Sequence, residues 1–221
     1  MNGLRIGVLD QGFGAEGGEP EVDATVREAL AVLEQAGAEL RPVSVAAHGN
    51  ASLAILPLYF EGAKLGYDTN LGGALAKSFY PASFMAAFGR AKRSHSHELP
   101  LNFKAMLLTG SYAQRRYNGR LYAKAQNVRP AIVRQYLDAF DRTLFSGERG
   151  GDMGVIIDNT APFNFTGFPA LSIPCAGAKG MPVGLQLVAL FHREDLLLQV
   201  AHAYQESVDW ESIYPAPIAL D

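Results

Sequence analysis

Asn159-Thr-Ala-Pro-Phe-Asn-Phe-Thr-Gly-Phe-Pro-Ala-Leu-Ser-Ile-Pro-Cys175 is the stretch on which the reading of this chain turns. Its second half, Phe168 to Pro174, is a short apolar run of the kind that forms a buried strand. Gly177-Ala-Lys-Gly180 then supplies turn residues, and Val183-Gly-Leu-Gln-Leu-Val188 is a second apolar run. Two such runs separated by a short turn predict a β-hairpin on a central sheet. Within the stretch, Gly167 and Pro169 would fix a tight entry into the first strand. Thr160 and Asn164 offer polar groups at a pocket edge. Phe163, Phe165 and Phe168 supply apolar wall or, equally, plain core.

Downstream, a helix is expected from Arg193 to Val208, with Leu196, Leu197, Val200, Ala201 and Tyr204 on its apolar side. Upstream, Leu4–Leu9 reads as a strand and a glycine-rich loop follows it. Pro20 opens a helix over Glu21–Gln35, and Leu40–Val45 reads as a second strand. This is a parallel strand–helix–strand unit. The middle is helical: one helix begins at Ala51 with Asn50 as its cap, and another covers Phe84–Arg93. A long pair covers Leu101–Tyr117 and Arg120–Phe145, broken at Asn118-Gly119, with Pro130 expected to kink its second member. Ser146 to Asp152 is a polar, glycine-rich connection.

The bulk numbers bound the class. The chain has 221 residues, 48% of them hydrophobic and 19% charged, which suffices for a real core. A net charge of −3 gives no general attraction to nucleic acid or anionic membrane. One cysteine, Cys175, allows no intrachain disulfide, fits a reducing compartment, and in its apolar setting reads as a buried hydrophobe. The N-terminus shows no secretory pattern and no apolar run approaches a membrane span, so the expectation is a cytoplasmic protein.

The ordered motifs from Asn159 to Glu206 resemble the closing block of amidase-signature enzymes. Asn164, Gly167, Pro169 and Pro174 fit that family's first-strand pattern, and Gly180, Pro182, Gly184 and Gln186 fit its second. Leu4–Val8 with Glu19–Asp23, and Arg116–Gln126, look like upstream parts of the same family, nearest its aliphatic and aromatic amide hydrolases. The resemblance implies an α/β fold: a partial α/β/α sandwich whose mixed sheet is flanked by helices. It implies a single C-terminal amidase-like domain over 1–221, made of a strand–helix–strand unit (1–46), a helical segment (47–146), and the hairpin with its terminal helix (153–210).

The family cleaves carboxamides to acid and ammonia with a serine nucleophile, a second serine on a cis peptide, and a lysine. No residue here matches that set: there is no Gly-Ser-Ser-Gly run, no S-x-x-K and no G-x-S-x-G. No catalytic residue, metal or cofactor is therefore assigned. The substrate-binding assignment is Thr160, Phe163 and Asn164. A second departure concerns the strand that family members place after the long helix. Here Phe140-Asp-Arg-Thr-Leu-Phe145 passes almost directly to Gly147, so that strand is expected to be deleted.

Other chemistry reads more weakly. His95 and His97 would share a strand face as a metal pair, with His48 or Asp68 as a third ligand, but a solvated basic loop is the simpler reading. Gly12–Gly18 looks like a phosphate loop but carries Glu16 and lacks the lysine. The arginines and lysines of the helical pair make a solvated face. Three functions remain open. The first is the substrate-pocket and scaffold portion of an amidase, with a small carboxamide as substrate. The second is a non-catalytic module that pairs with a serine-bearing N-terminal half or with a second copy of itself. The third is a hydrolase with a rebuilt site using, for example, Ser111 or Ser172 with a histidine.

Overall fold

The computed structural model describes residues 3–72, 79–140, 143–147, 157–178 and 181–209. They fall into two compact units, one of Met1–Ser52 with Pro130–Asp221 and one of Leu53–Arg129.

The first unit is built on a five-stranded mixed sheet. Strand β1 (Arg5–Leu9) lies parallel to β2 (Glu39–Val43) on one side and to β3 (Thr143–Gly147) on the other. Strand β5 (Met181–Val188) runs antiparallel to β3 and to β4 (Ala170–Ala178), giving the order β2-β1-β3-β5-β4. Ile6, Gly7 and Leu9 of β1 are buried, as suits a strand covered on both faces.

Helix α1 (Pro20–Gln35) starts with proline at its first turn, where the missing N–H costs nothing. Glu21 and Asp23 place negative charge beside the positive helix end. Its buried stripe, Val22, Val26, Ala29, Leu30 and Leu33, packs on Ile173, Val183, Leu185 and Leu187 of the hairpin. The terminal helix α7 (Glu194–Ser207) adds Leu197, Val200 and Tyr204 to the same core, and Tyr204 donates to the Cys175 carbonyl at 3.1 Å. Alternation along β4 and β5 sends Ser172 and Gln186, paired in register, to the opposite face. There the aromatics gather: Phe168 lies 5.0 Å from Phe140, 5.8 Å from Tyr136 and 4.3 Å from Phe191 between ring centroids.

The second unit is helical. It holds most of α2 (His48–Asp68), then α3 (Ala82–Ser94), α4 (Leu101–Tyr117) and the first half of α5 (Arg120–Phe140). Gly110 marks where α4 crosses α2, since a Cβ there would sit 2.3 Å from the Phe60 carbonyl oxygen. Tyr67 packs edge-on against Phe88 and Phe103, with the Lys92 ammonium 4.8 Å from its ring centre. Asn118, in the left-handed conformation, ends α4 and returns its N–H to the Gln114 carbonyl.

Three sequence expectations need correction. The strand after the long helix is present. Helix α5 ends at Phe140 rather than Phe145, and Thr143–Gly147 forms β3 in the middle of the sheet. A five-residue strand paired with β1 on one side and β5 on the other, at Phe145 and Ser146 with both, forms here without the family's usual motif, so the deletion of that strand inferred from the motif is not real. Asn50 is not a cap, because α2 already begins at His48, whose N–H donates to the Val45 carbonyl. Ahead of the strand, as expected, Asn164 lies on a short helix α6 (Ala161–Thr166). Gly177 belongs to β4, which runs on to Ala178, while residues 179 and 180 lie outside those described. Helix α5 continues through Pro130, and the division between the units falls there. Residues 148–152 of the glycine-rich connection lie outside the described residues.

Candidate functional site

The site grows from the turn that carries the chain into β4. Thr160 stands before α6, Pro162 occupies its first turn, and Gly167 closes it at φ 85°. That left-handed conformation suits glycine, and its N–H returns to the Phe163 carbonyl at 2.8 Å. One helical turn thus buries Phe163 and Phe165 while Asn164 stays exposed.

Thr160, Phe163 and Asn164 are brought to one cavity of about 290 Å³, with Phe168, Ala170, Leu171, Ser172 and Gln186 completing its lining. Two aromatic rings form the apolar wall. Two hydroxyls and two carboxamides form the polar part, and among the described residues no charged side chain lines it. Phe163 is buried, so it serves as both wall and core. Gln186 is 8% exposed and its Nε2 donates to the Asn159 carbonyl at 2.6 Å. Only the NH2 end of a carboxamide donates, so it is the NH2 end of Gln186 that the Asn159 carbonyl holds.

Behind this cavity lies a buried polar group that the sequence reading missed. His48 is 2% exposed. Its Nδ1 lies 2.6 Å from the Tyr136 hydroxyl and its Nε2 lies 2.8 Å from Asn159 Oδ1. Asn159 Nδ2 donates to the Gly12 carbonyl at 3.0 Å. Burial lowers the His48 pKa, opposed by the Asn159 hydrogen bond and the Asp158 carboxylate, and burial raises that of Tyr136. Gln186 was visible in the strand motif, but nothing in the spacing of His48, Tyr136 and Asn159 announces that they meet.

The remaining candidates fall elsewhere. Asp23 Oδ2 accepts the Gly14 N–H at 2.8 Å, so a carboxylate already occupies the glycine-rich loop. The rings of His95 and His97 stack with centroids 6.4 Å apart. Among the described residues no three His, Cys, Asp or Glu side chains gather as a metal site. Ser111 lines an apolar cavity of about 350 Å³ in the helical unit and donates to the Leu107 carbonyl. The Ser94–His95 contact at 2.6 Å joins adjacent exposed residues at the end of α3. Burial pushes the Cys175 thiol up to about 11, which leaves it a poor nucleophile. No helix among the described residues is long and apolar enough to cross a membrane.

Residues 1–198 match the amidase family model. The chain is similar to a glutamyl-tRNA(Gln) amidotransferase subunit from Picosynechococcus, with 32% identity over 96% of this chain and 47% of that protein. It is 33% identical to the Moorella thermoacetica subunit of the same name, over 97% of this chain and 47% of that one. The chain therefore spans about half the length of these relatives. Among solved structures, 6-aminohexanoate cyclic dimer hydrolase aligns with a TM-score of 0.69 at 21% identity, over 97% of this chain and 47% of its own. The corresponding amidotransferase subunit from Thermotoga maritima gives a TM-score of 0.65 at 17% identity, over 98% and 45%. These two likenesses support the fold, an α/β architecture shared with amidase-signature enzymes. The chain belongs to the amidase family.

Proposed function

We propose that the chain is the carboxamide-binding and scaffold portion of an amidase-type hydrolase of carbon–nitrogen bonds, corresponding to the family's C-terminal part. The observation that carries this reading is the cavity of Thr160, Phe163, Asn164, Ser172 and Gln186 in a chain of this family. A carboxamide presents one acceptor oxygen and N–H donors on a planar group. Gln186 Oε1 complements the donors, hydroxyls complement the oxygen, and the phenyl rings complement an apolar acyl group. The reaction itself needs a serine nucleophile, which this chain does not match and a partner segment would supply.

The test is amide hydrolysis by the purified chain alone and mixed with a serine-bearing N-terminal half of a family member. Activity only on mixing is the expected result. Activity of the chain alone would instead favour a rebuilt site. No activity in either arm, together with no binding of benzamide at the cavity, would sink the reading.

A second reading is supported by the large apolar side chains on the helical unit, among them Leu53, Leu101 and Leu108, which are 68%, 82% and 72% exposed. Such residues suit an assembly role, in keeping with relatives named as subunits. A stable complex with the serine-bearing half that lacks hydrolytic activity would favour it.

A further inference from the structure

We propose that Asn159 is the positioning residue of the cavity: its carbonyl holds Gln186 while its side chain is locked by an ordered chain of hydrogen bonds from Tyr136 through His48 to Gly12. The inference rests on the proposed reading of the cavity as a carboxamide site.

The order of the protons follows from one fixed end. The Gly12 carbonyl can only accept, so the Asn159 atom 3.0 Å from it must be the NH2. Asn159 Oδ1 then faces His48, and His48 Nε2, 2.8 Å away, must carry the proton. In a neutral imidazole the other nitrogen is the acceptor, so Nδ1 takes the hydrogen of the Tyr136 hydroxyl at 2.6 Å. Every bond in the series has one direction. Reversing any of them would set two donors or two acceptors against each other in a buried place, where an unmatched polar group is costly.

The consequence reaches the cavity through the backbone. Asn159 lies between Asp158, whose carbonyl accepts from Ser52 Oγ at 3.3 Å, and Thr160, whose side chain lines the site. With its side chain pinned on two sides, Asn159 presents its carbonyl at a set place and angle. Gln186 Nε2 bonds to it at 2.6 Å, and this fixes which end of the Gln186 amide faces a ligand. Asn159 itself does not line the cavity. It acts through Gln186.

The experiment uses the full chain with benzamide as probe, its binding followed on backbone and side-chain NMR signals of Ser172 and Gln186. Asn159→Ala is expected to weaken benzamide by about tenfold, as is Gln186→Leu, and the double variant to bind no more weakly than Gln186→Leu. A contribution of Asn159 to binding that does not run through Gln186 would instead make the two losses multiply, and a role confined to stability would leave binding in Asn159→Ala unchanged. Independently, long-range proton–nitrogen spectra of the wild type are expected to show His48 with hydrogen on Nε2. Multiplying losses, unchanged binding in Asn159→Ala, or hydrogen on Nδ1 would each overturn the proposal. Should Asn159→Ala fail to fold, Asn159→Ser takes its place in the same cycle, and the wild-type tautomer decides in either case. If the wild type itself does not bind benzamide at these signals, the carboxamide reading fails, while the tautomer still reports on the chain of bonds.

Discussion

At the scale of single residues, His48 couples the fold to pH. The unfolded histidine takes up a proton near its ordinary value of 6.5, whereas burial holds the folded one lower. Below about pH 6.5 the unfolded chain thus binds more protons than the folded chain, and stability falls until the folded imidazole also titrates. Above that pH the contribution is complete and flat. Urea midpoints measured from pH 8 to pH 5 should therefore drop on the acid side in the wild type, and less so in His48→Gln. Equal slopes in both would show that His48 is not the group responsible. Tyr204 offers a simpler case. Its hydroxyl spends one buried hydrogen bond on the Cys175 carbonyl, so Tyr204→Phe should lower stability by about 1 kcal/mol in a denaturant titration.

At the scale of elements, close approach decides more than propensity does. A methyl group at Gly110 would meet the Phe60 carbonyl oxygen at 2.3 Å and Lys64 Cβ at 2.9 Å, both in α2. Backbone cannot rotate away as a side chain can, so the two helices would have to separate. Gly110→Ala is expected to cost about 1–3 kcal/mol and to speed hydrogen exchange in α2 and α4 first. Wild-type exchange in the variant would contradict the crossing. Which elements were legible in the sequence follows the same physics. Helix α1, the hairpin and α7 each carry a local period: Val22, Val26, Leu30 and Leu33 recur on one face, Leu185 and Leu187 alternate with Gly184 and Gln186, and Leu197, Val200 and Tyr204 recur on another. Strand β3 has no such mark. Its five residues are a strand because β1 and β5 stand on either side of it, a fact of tertiary structure. Helix α6 was hidden because Pro162 and Gly167 read as loop residues, although here they begin and end a single turn. The cavity was half legible. Thr160, Phe163 and Asn164 lie close before the hairpin in sequence, whereas the His48–Asn159 bond joins positions 111 apart.

At the scale of the whole molecule, the two edges of the sheet are unlike. Strand β2 ends the sheet on one side with Pro42 and with an Arg41–Glu39 ion pair, both of which discourage a further strand. Strand β4 ends it on the other with Ala-Leu-Ser-Ile-Pro-Cys-Ala-Gly-Ala, nine residues without a charge. Among the described residues its protection comes from Pro174 and the irregular register between Pro174 and Ala176. An uncharged edge of that length invites another strand, and in a solution of this chain alone the available strand is the β4 of a second copy. The expected behaviour is association that grows with concentration in sedimentation velocity. Ala176→Lys places a charge on β4 next to that irregularity, at a half-buried position where pairing would have to bury it. The variant should remain monomeric at concentrations where the wild type associates, while retaining the slow reaction of buried Cys175 with thiol reagents that reports an intact sheet. Association that persists in the variant with Cys175 still protected would move the contact away from β4, to the exposed leucines of the helical unit.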